Sequence, residues 1–246
     1  MMPKALLLSL VLFLCHCTPE PNRQEDIAEE TYEEPTEVST PKPPCAIQDS
    51  LLASGLVNVQ ALNPNIGVHL RYSVTNNFLH TDLYGCLETA YLQAEAASML
   101  SKAQDFLSAI DSSLHLLIWD ATRPRSVQWK MWEVLQMPLD QKVRFVSNPR
   151  NGSLHNFGCA VDLTICNQDN IPLDMGTDFD YFGRAAGTRH EAQLVTEGLL
   201  TQQQLKNRRL LRGIMRQAGF SMISSEWWHF NAMSREAAIA RYVIVE

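Results

Sequence analysis

The pattern of apolar and polar positions divides the chain into strand-like and helical stretches. Val68 to Val74 alternates in strand fashion, and Asn76-Asn77 followed by Tyr84-Gly85 marks a loop. Apolar residues then fall at Leu87, Tyr91, Ala94, Leu100, Ala103, Phe106, Leu107 and Ile110, a stripe that predicts a helix over 87–110, ended by Asp111-Ser112-Ser113. His115–Trp119 is a short run of buried-strand type, and it delivers Asp120, Arg123 and Pro124 at its carboxyl end. Pro124 suits the first turn of a helix reaching about Met137 and closed by Pro138.

Cys159–Ile165 alternates and predicts another strand, and residues 166–190 read as loop. A second strong helix runs from Gln202 to Ala218, with Leu205, Leu211, Ile214, Met215 and Ala218 on one face and Gly219 as its stop. Phe220–Phe230 follows as the last strand and carries Glu226 and His229. Strands and helices mix without a regular βαβ rhythm or an internal repeat. The expectation is an α+β fold, a single domain over 45–246 with a mainly antiparallel sheet flanked by helices.

The first residues break this pattern. Residues 1–17 combine Lys4, an apolar run from Ala5 to Leu14 and Cys15-His16-Cys17, too short to span a bilayer and of signal-peptide type. The chain is therefore expected to be exported, to a periplasmic or cell-envelope location. Two readings of its processing stay open: lipidation, with Cys17 the better anchor because Leu14 stands three residues before it, and ordinary cleavage. Residues 18–44 are rich in Pro, Glu and Thr with almost no apolar content, which predicts a disordered acidic linker that holds the folded part away from a surface.

Charge follows the same division. Residues 18–44 hold eight acidic side chains against Arg23 and Lys42, most of the formal net charge of -7. The remainder is nearly neutral and offers no basic footprint for nucleic acid. Beyond the leader, Cys45, Cys86, Cys159 and Cys166 form no CxxC pair and hence no thiolate zinc site. In an exported chain they allow three disulfide connectivities, and free buried thiols are equally open.

Two short segments concentrate the chemistry: Ser153 to Thr164, with His155 and Asp162, and Glu226-Trp227-Trp228-His229. Two imidazoles and a carboxylate at His155, Asp162 and His229 are the ligand set of a catalytic zinc with one position left for water. Glu226 then remains as a general base. An Asp inside an apolar strand is costly unless paired or metal-bound, which sets Asp162 apart from an ordinary surface carboxylate. On a regular strand, however, Glu226 and His229 point to opposite faces, so the segment must bulge or turn between them.

Five motifs in order, Arg71-Tyr72 with Asn76-Asn77-Phe78, Trp119-Asp120 with Arg123-Pro124, Ser153 with His155, Gly158, Ala160 and Asp162, Met175-Gly176-Thr177 with Phe179-Asp180, and Glu226-Trp227-Trp228-His229, resemble the zinc D-alanyl-D-alanine dipeptidases of the VanX type. The resemblance spans about residues 56–231. It implies His155, Asp162 and His229 as ligands of one zinc ion on the sheet, Glu226 as general base and Arg123 as the cation facing the oxyanion. It further implies Asp180 and Tyr72 near the substrate's amino group and Ser153 toward its other end. Ala121-Thr122 departs from the Gly-Tyr common before the arginine, and the acidic linker is an addition.

The implied activity is hydrolysis of the small dipeptide D-Ala-D-Ala in peptidoglycan turnover or recycling. A D,D-carboxypeptidase or wall endopeptidase on the same metal site, and a non-enzymatic zinc-fold module that binds wall peptides, remain as alternatives.

Overall fold

Two strands with almost no exposed residue form the centre of the sheet: β4 (His115–Asp120), buried at all but its first position, and β5 (Ala160–Cys166), buried throughout. A computed structural model describes residues 44–143 and 145–246, so the expected leader (1–17) and the linker up to residue 43 lie outside the described residues. Burial at successive positions means that both faces of these strands are covered, so the alternation read in Cys159–Ile165 does not separate a wet face from a dry one.

The five-stranded sheet has the order β2 (Gly67–Val68), β4, β5, β7 (His229–Asn231), β6 (Ser221–Met222). Only β2 and β4 run parallel; the other neighbours are antiparallel, which is the mainly antiparallel α+β arrangement expected. A separate antiparallel pair joins β1 (Val57–Asn58) to β3 (Tyr91–Leu92).

Two long helices, α3 (Ala94–Ile110) and α7 (Gln202–Gln217), pack together, and α3 lies against β4. Helix α3 buries Ala96, Ala97, Leu100, Ala103 and Leu107, small and branched side chains that let it approach the sheet closely. Its buried Gln104 accepts a hydrogen bond from the Leu116 amide at 2.8 Å, fixing helix to strand. Thr201 and Gln204 cap each other at the start of α7, and Gly219 at φ +104° ends it. Shorter helices complete the fold: α1 (Ala46–Ala53), α2 (Val59–Leu62), α4 (Arg125–Val134), α5 (Leu139–Lys142), α6 (Glu191–Thr196) and α8 (Arg235–Arg241).

Four expectations are corrected. The helix predicted over 87–110 starts at Ala94, because Tyr91 and Leu92 are taken by pairing with β1. The strand over 68–74 stops at Val68, and Arg71–Ser73 is a 3-10 turn whose Tyr72 carbonyl accepts from the amides of Leu83 and Tyr84. The helix after Pro124 ends at Val134, and Pro138 opens α5 rather than closing α4. The strand over 220–230 is β6 and β7, separated by a bend over 223–228.

Of the cysteine alternatives, the structure forms Cys45–Cys86 and leaves Cys159 and Cys166 as free buried thiols. Among the described residues, no helix is long and apolar enough to cross a membrane.

Candidate active site

Register places the chemistry. Asp120 on β4 is paired with Asp162 on β5, and Asp162 with His229 on β7, so three polar side chains form a row across the three central strands. The bend over 223–228 turns the chain just before β7, which removes the conflict between Glu226 and His229: only His229 is on the strand. His155 arrives from the 3-10 turn Leu154–Phe157, and Gly158, at φ +68°, reverses the chain into β5. Side chains rarely adopt that φ, and a Cβ there would meet Leu56 Cδ2 at 2.7 Å and Thr122 Oγ1 at 2.9 Å, so glycine is required twice over.

His155 Nε2, His229 Nδ1 and Asp162 Oδ1 make a triangle with edges of 3.2, 2.9 and 3.5 Å. The other ring nitrogens are committed, since His155 Nδ1–H donates to the Ala121 carbonyl at 2.7 Å and His229 Nε2–H to Asn231 Oδ1 at 2.8 Å. Each neutral imidazole thus turns a lone pair toward a carboxylate, and three acceptors face one another in a buried place. Such a crowd needs a cation. Tetrahedral donors about 2.0–2.1 Å from a zinc ion stand about 3.3 Å apart, so the triangle fits one. These are the residues that can hold a metal ion among those described. Without a metal a proton serves: burial opposes charge on His229, but the Asp162 carboxylate outweighs it and holds the imidazole up at about 9.

All eight residues singled out in the sequence (Tyr72, Arg123, Ser153, His155, Asp162, Asp180, Glu226 and His229) line one cavity of about 290 Å³. That volume is at the small end for ligand sites and suits a small substrate. Glu226 is half-buried, burial pushes its carboxyl up, and no side-chain hydrogen bond ties it among the described residues. Arg123 is buried with Nε and Nη2 on Asp120 Oδ2 at 3.1 and 2.5 Å, and its guanidinium lies 5.1 Å over the Tyr72 ring. Burial opposes its charge, and Asp120 restores it.

Asp180 is half-buried at φ +58° and accepts a 2.8 Å hydrogen bond from Tyr72. Burial pushes its carboxyl well up, the Tyr72 hydroxyl pulls it down and nearby Asp162 adds to the rise, so Asp180 is primed to become charged when a cation arrives. The Ser153 hydroxyl reaches the side-chain oxygens of Gln128 at 3.0 Å and Asn156 at 3.2 Å.

The sequence reading missed the second layer. Asp120, with no exposure, takes Arg123 on one oxygen and the Tyr84 hydroxyl on the other at 2.5 Å, and lies 3.6 Å from His155 Nδ1. Arg208 ties α7 to the loop that carries Asp180, donating to the carbonyls of Met175 at 2.6 Å and Ala185 at 2.8 Å. Asn77 braces the Tyr72 turn through the carbonyls of Arg71, Val74 and Thr81. An uncompensated Asp beside an Arg-Pro pair was the available signal for Asp120; nothing local in the sequence announced Arg208.

A His–Asp–His donor triangle on a mainly antiparallel α+β sheet, with an untied glutamate and a buried arginine at the same cavity, is the site of a metallopeptidase. The peptidase M15 family profile described as D-ala-D-ala dipeptidase matches residues 52–243. The D-alanyl-D-alanine dipeptidase of Escherichia coli (strain K12) is 32% identical over 178 residues, covering 71% of this chain and 83% of its own length. Enzymes of the same name from Enterococcus faecium (30% over 150 residues, 55% of this chain and 70% of that one) and Enterococcus faecalis (27% over 175 residues, 65% and 82%) are also similar. The chain belongs to the D-Ala-D-Ala dipeptidase family.

Proposed function

We propose that this chain is a zinc dipeptidase that hydrolyses D-Ala-D-Ala, and that its cellular role is peptidoglycan turnover or recycling. The single observation that carries the reading is the buried triangle of His155, Asp162 and His229 with Glu226 and Arg123 on the same cavity. When bound there, zinc supplies a Lewis acid that polarises the scissile carbonyl and acidifies the attacking water.

The protein's own groups do the rest. Glu226, untied and facing the cavity, takes the water's proton and passes it to the leaving amine. Arg123 has Nε and Nη2 on Asp120, so Nη1 is left to meet the oxygen on which negative charge develops, a contribution of about 10²–10³ in rate. Asp180, steadied by Tyr72, receives the substrate's ammonium group, and Ser153, oriented by Gln128 and Asn156, meets the other end. The test is metal-loaded protein with D-Ala-D-Ala, scoring released D-alanine: turnover that is lost on chelation and restored by zinc supports the reading, and no turnover at any metal loading refutes it.

Localisation outside the cytoplasm belongs to the same proposal. The leader-like residues 1–17 support it, as does the Cys45–Cys86 bond, which persists in an oxidising compartment. Fractionation of the full-length protein tests it, and Cys17→Ser separates a lipid tether from ordinary cleavage.

A further inference from the structure

The cavity has an apolar side that the proposed chemistry does not use. Phe145, Val146, Phe182 and Ile223 line the cavity together with the polar groups. Phe182 meets Phe145 edge-on with centroids 4.4 Å apart and Phe78 at 5.0 Å, so rings from two other segments converge on it. Phe182 nevertheless stays 40% exposed, which puts its ring at the rim, where it meets both cavity and solvent. It lies two residues beyond Asp180, and Tyr72, the hydrogen-bond partner of Asp180, packs on Phe78 at 6.4 Å. The aromatic rim and the carboxylate therefore share one corner of the cavity.

We propose that Phe145 and Phe182 are specificity-determining residues that set the size of the substrate's amino-terminal side chain. The inference rests on the functional reading above, in which Asp180 takes the ammonium group. With that group on Asp180, the side chain on the same carbon is directed to the nearby rim, and the carboxyl-terminal residue lies on the other side of the scissile bond, away from it. Edge-to-face rings hold one another in place, so the rim does not yield freely to a larger group. A methyl group fits, and a branched butyl group meets the rings. The rim thus admits dipeptides with a small amino-terminal residue and excludes bulky ones, while leaving the carboxyl-terminal side chain to other walls.

The experiment compares kcat/KM for D-Ala-D-Ala, D-Leu-D-Ala and D-Ala-D-Leu in zinc-loaded wild type, Phe182→Ala, Phe145→Ala and the milder Phe182→Leu, with melting curves for each. The expected result is a rise of about 10-fold or more in the D-Leu-D-Ala to D-Ala-D-Ala ratio in the alanine variants, a smaller rise in Phe182→Leu, and an unmoved D-Ala-D-Leu ratio. Folded variants that turn over D-Ala-D-Ala with the D-Leu-D-Ala ratio unmoved, or with both ratios raised alike, overturn this inference and leave the functional reading standing. If the alanine variants do not fold, Phe182→Leu decides by the same criterion. A wild type inactive on D-Ala-D-Ala overturns the functional reading and this inference with it.

Discussion

Asp120 Oδ2 receives both Nε and Nη2 of Arg123, at 3.1 and 2.5 Å, from a position with no solvent exposure. The pair is buried, so its value lies in what happens when half of it is removed. An uncompensated guanidinium in that place costs about 3–5 kcal/mol, and a guanidinium free to turn no longer aims Nη1 at the cavity. Asp120→Ala is therefore expected to lower stability by that amount in urea unfolding. It is also expected to reduce kcat by about 10²–10³, as loss of the oxyanion contact itself would. Asp120→Asn keeps the shape and one accepting oxygen, so it separates the charge of Asp120 from its orienting hydrogen bonds; full kcat in Asp120→Ala would contradict the orienting role. Tyr84→Phe removes the donor on the other oxygen and is expected to cost about 1–3 kcal/mol.

Gly158 offers a test away from the charged groups. At φ +68° with two atoms under 3.0 Å from an added Cβ, Gly158→Ala must strain or shift the turn that presents His155. The backbone strain alone is about 1–3 kcal/mol. The expected outcome is a lower melting temperature together with weaker zinc binding in a chelator competition. Unchanged zinc affinity would show that the turn is not what positions His155.

How much of this was legible in the sequence depends on where the determining contacts lie. Helix α7 was readable almost to the residue, because its cap, its stripe and Gly219 are local signals. The start of α3 was not, because the helical stripe happens to continue through Leu87 and Tyr91 while Tyr91 and Leu92 pair with a strand more than thirty residues earlier. The donor set His155, Asp162 and His229 and the carboxylate of Glu226 were visible as chemistry in two short motifs, Arg123 entered only through the resemblance, and the five motifs together gave the family. The Asp120–Asp162–His229 row was not visible, since it exists only through the register of three strands. Arg208 escaped for the same reason: its partners Met175, Ala185 and Glu191 come from other elements.

The cysteines divide into two kinds with different chemistry. Cys45–Cys86 closes a separation of 41 residues, for which the chain-entropy account gives about 4 kcal/mol, so reduction is expected to lower the unfolding midpoint without removing the zinc site. Burial pushes the Cys159 and Cys166 thiols up to about 12 each, and a thiol reagent at pH 8 is expected to reach them only after denaturation. Labelling of either cysteine in the native protein would contradict their burial.

Glu226 separates metal binding from catalysis. It lines the cavity without belonging to the donor triangle, so Glu226→Gln is expected to retain one zinc per chain and lose turnover by about 10²–10⁴. A variant that loses its zinc would make Glu226 a ligand instead, and one that keeps full activity would deny it the role of base. Metal analysis and D-alanine release on the same preparation distinguish the three results.

We propose that Asp180 confines the chain to dipeptides by demanding a free ammonium group. An N-acetylated substrate brings no cation to Asp180, which then has Tyr72 but not the charge-assisted hydrogen bond to an ammonium group, a loss of about 1–3 kcal/mol. The most direct measurement is the kcat/KM ratio of D-Ala-D-Ala to N-acetyl-D-Ala-D-Ala in wild type and in Asp180→Ala. The account predicts a wild-type preference of about 10-fold or more for the free dipeptide, collapsing toward unity in the variant as the free dipeptide loses its advantage. Equal hydrolysis of both substrates by the wild type would contradict it and favour a carboxypeptidase on the same site, and an undiminished preference in Asp180→Ala would give the ammonium group to another residue.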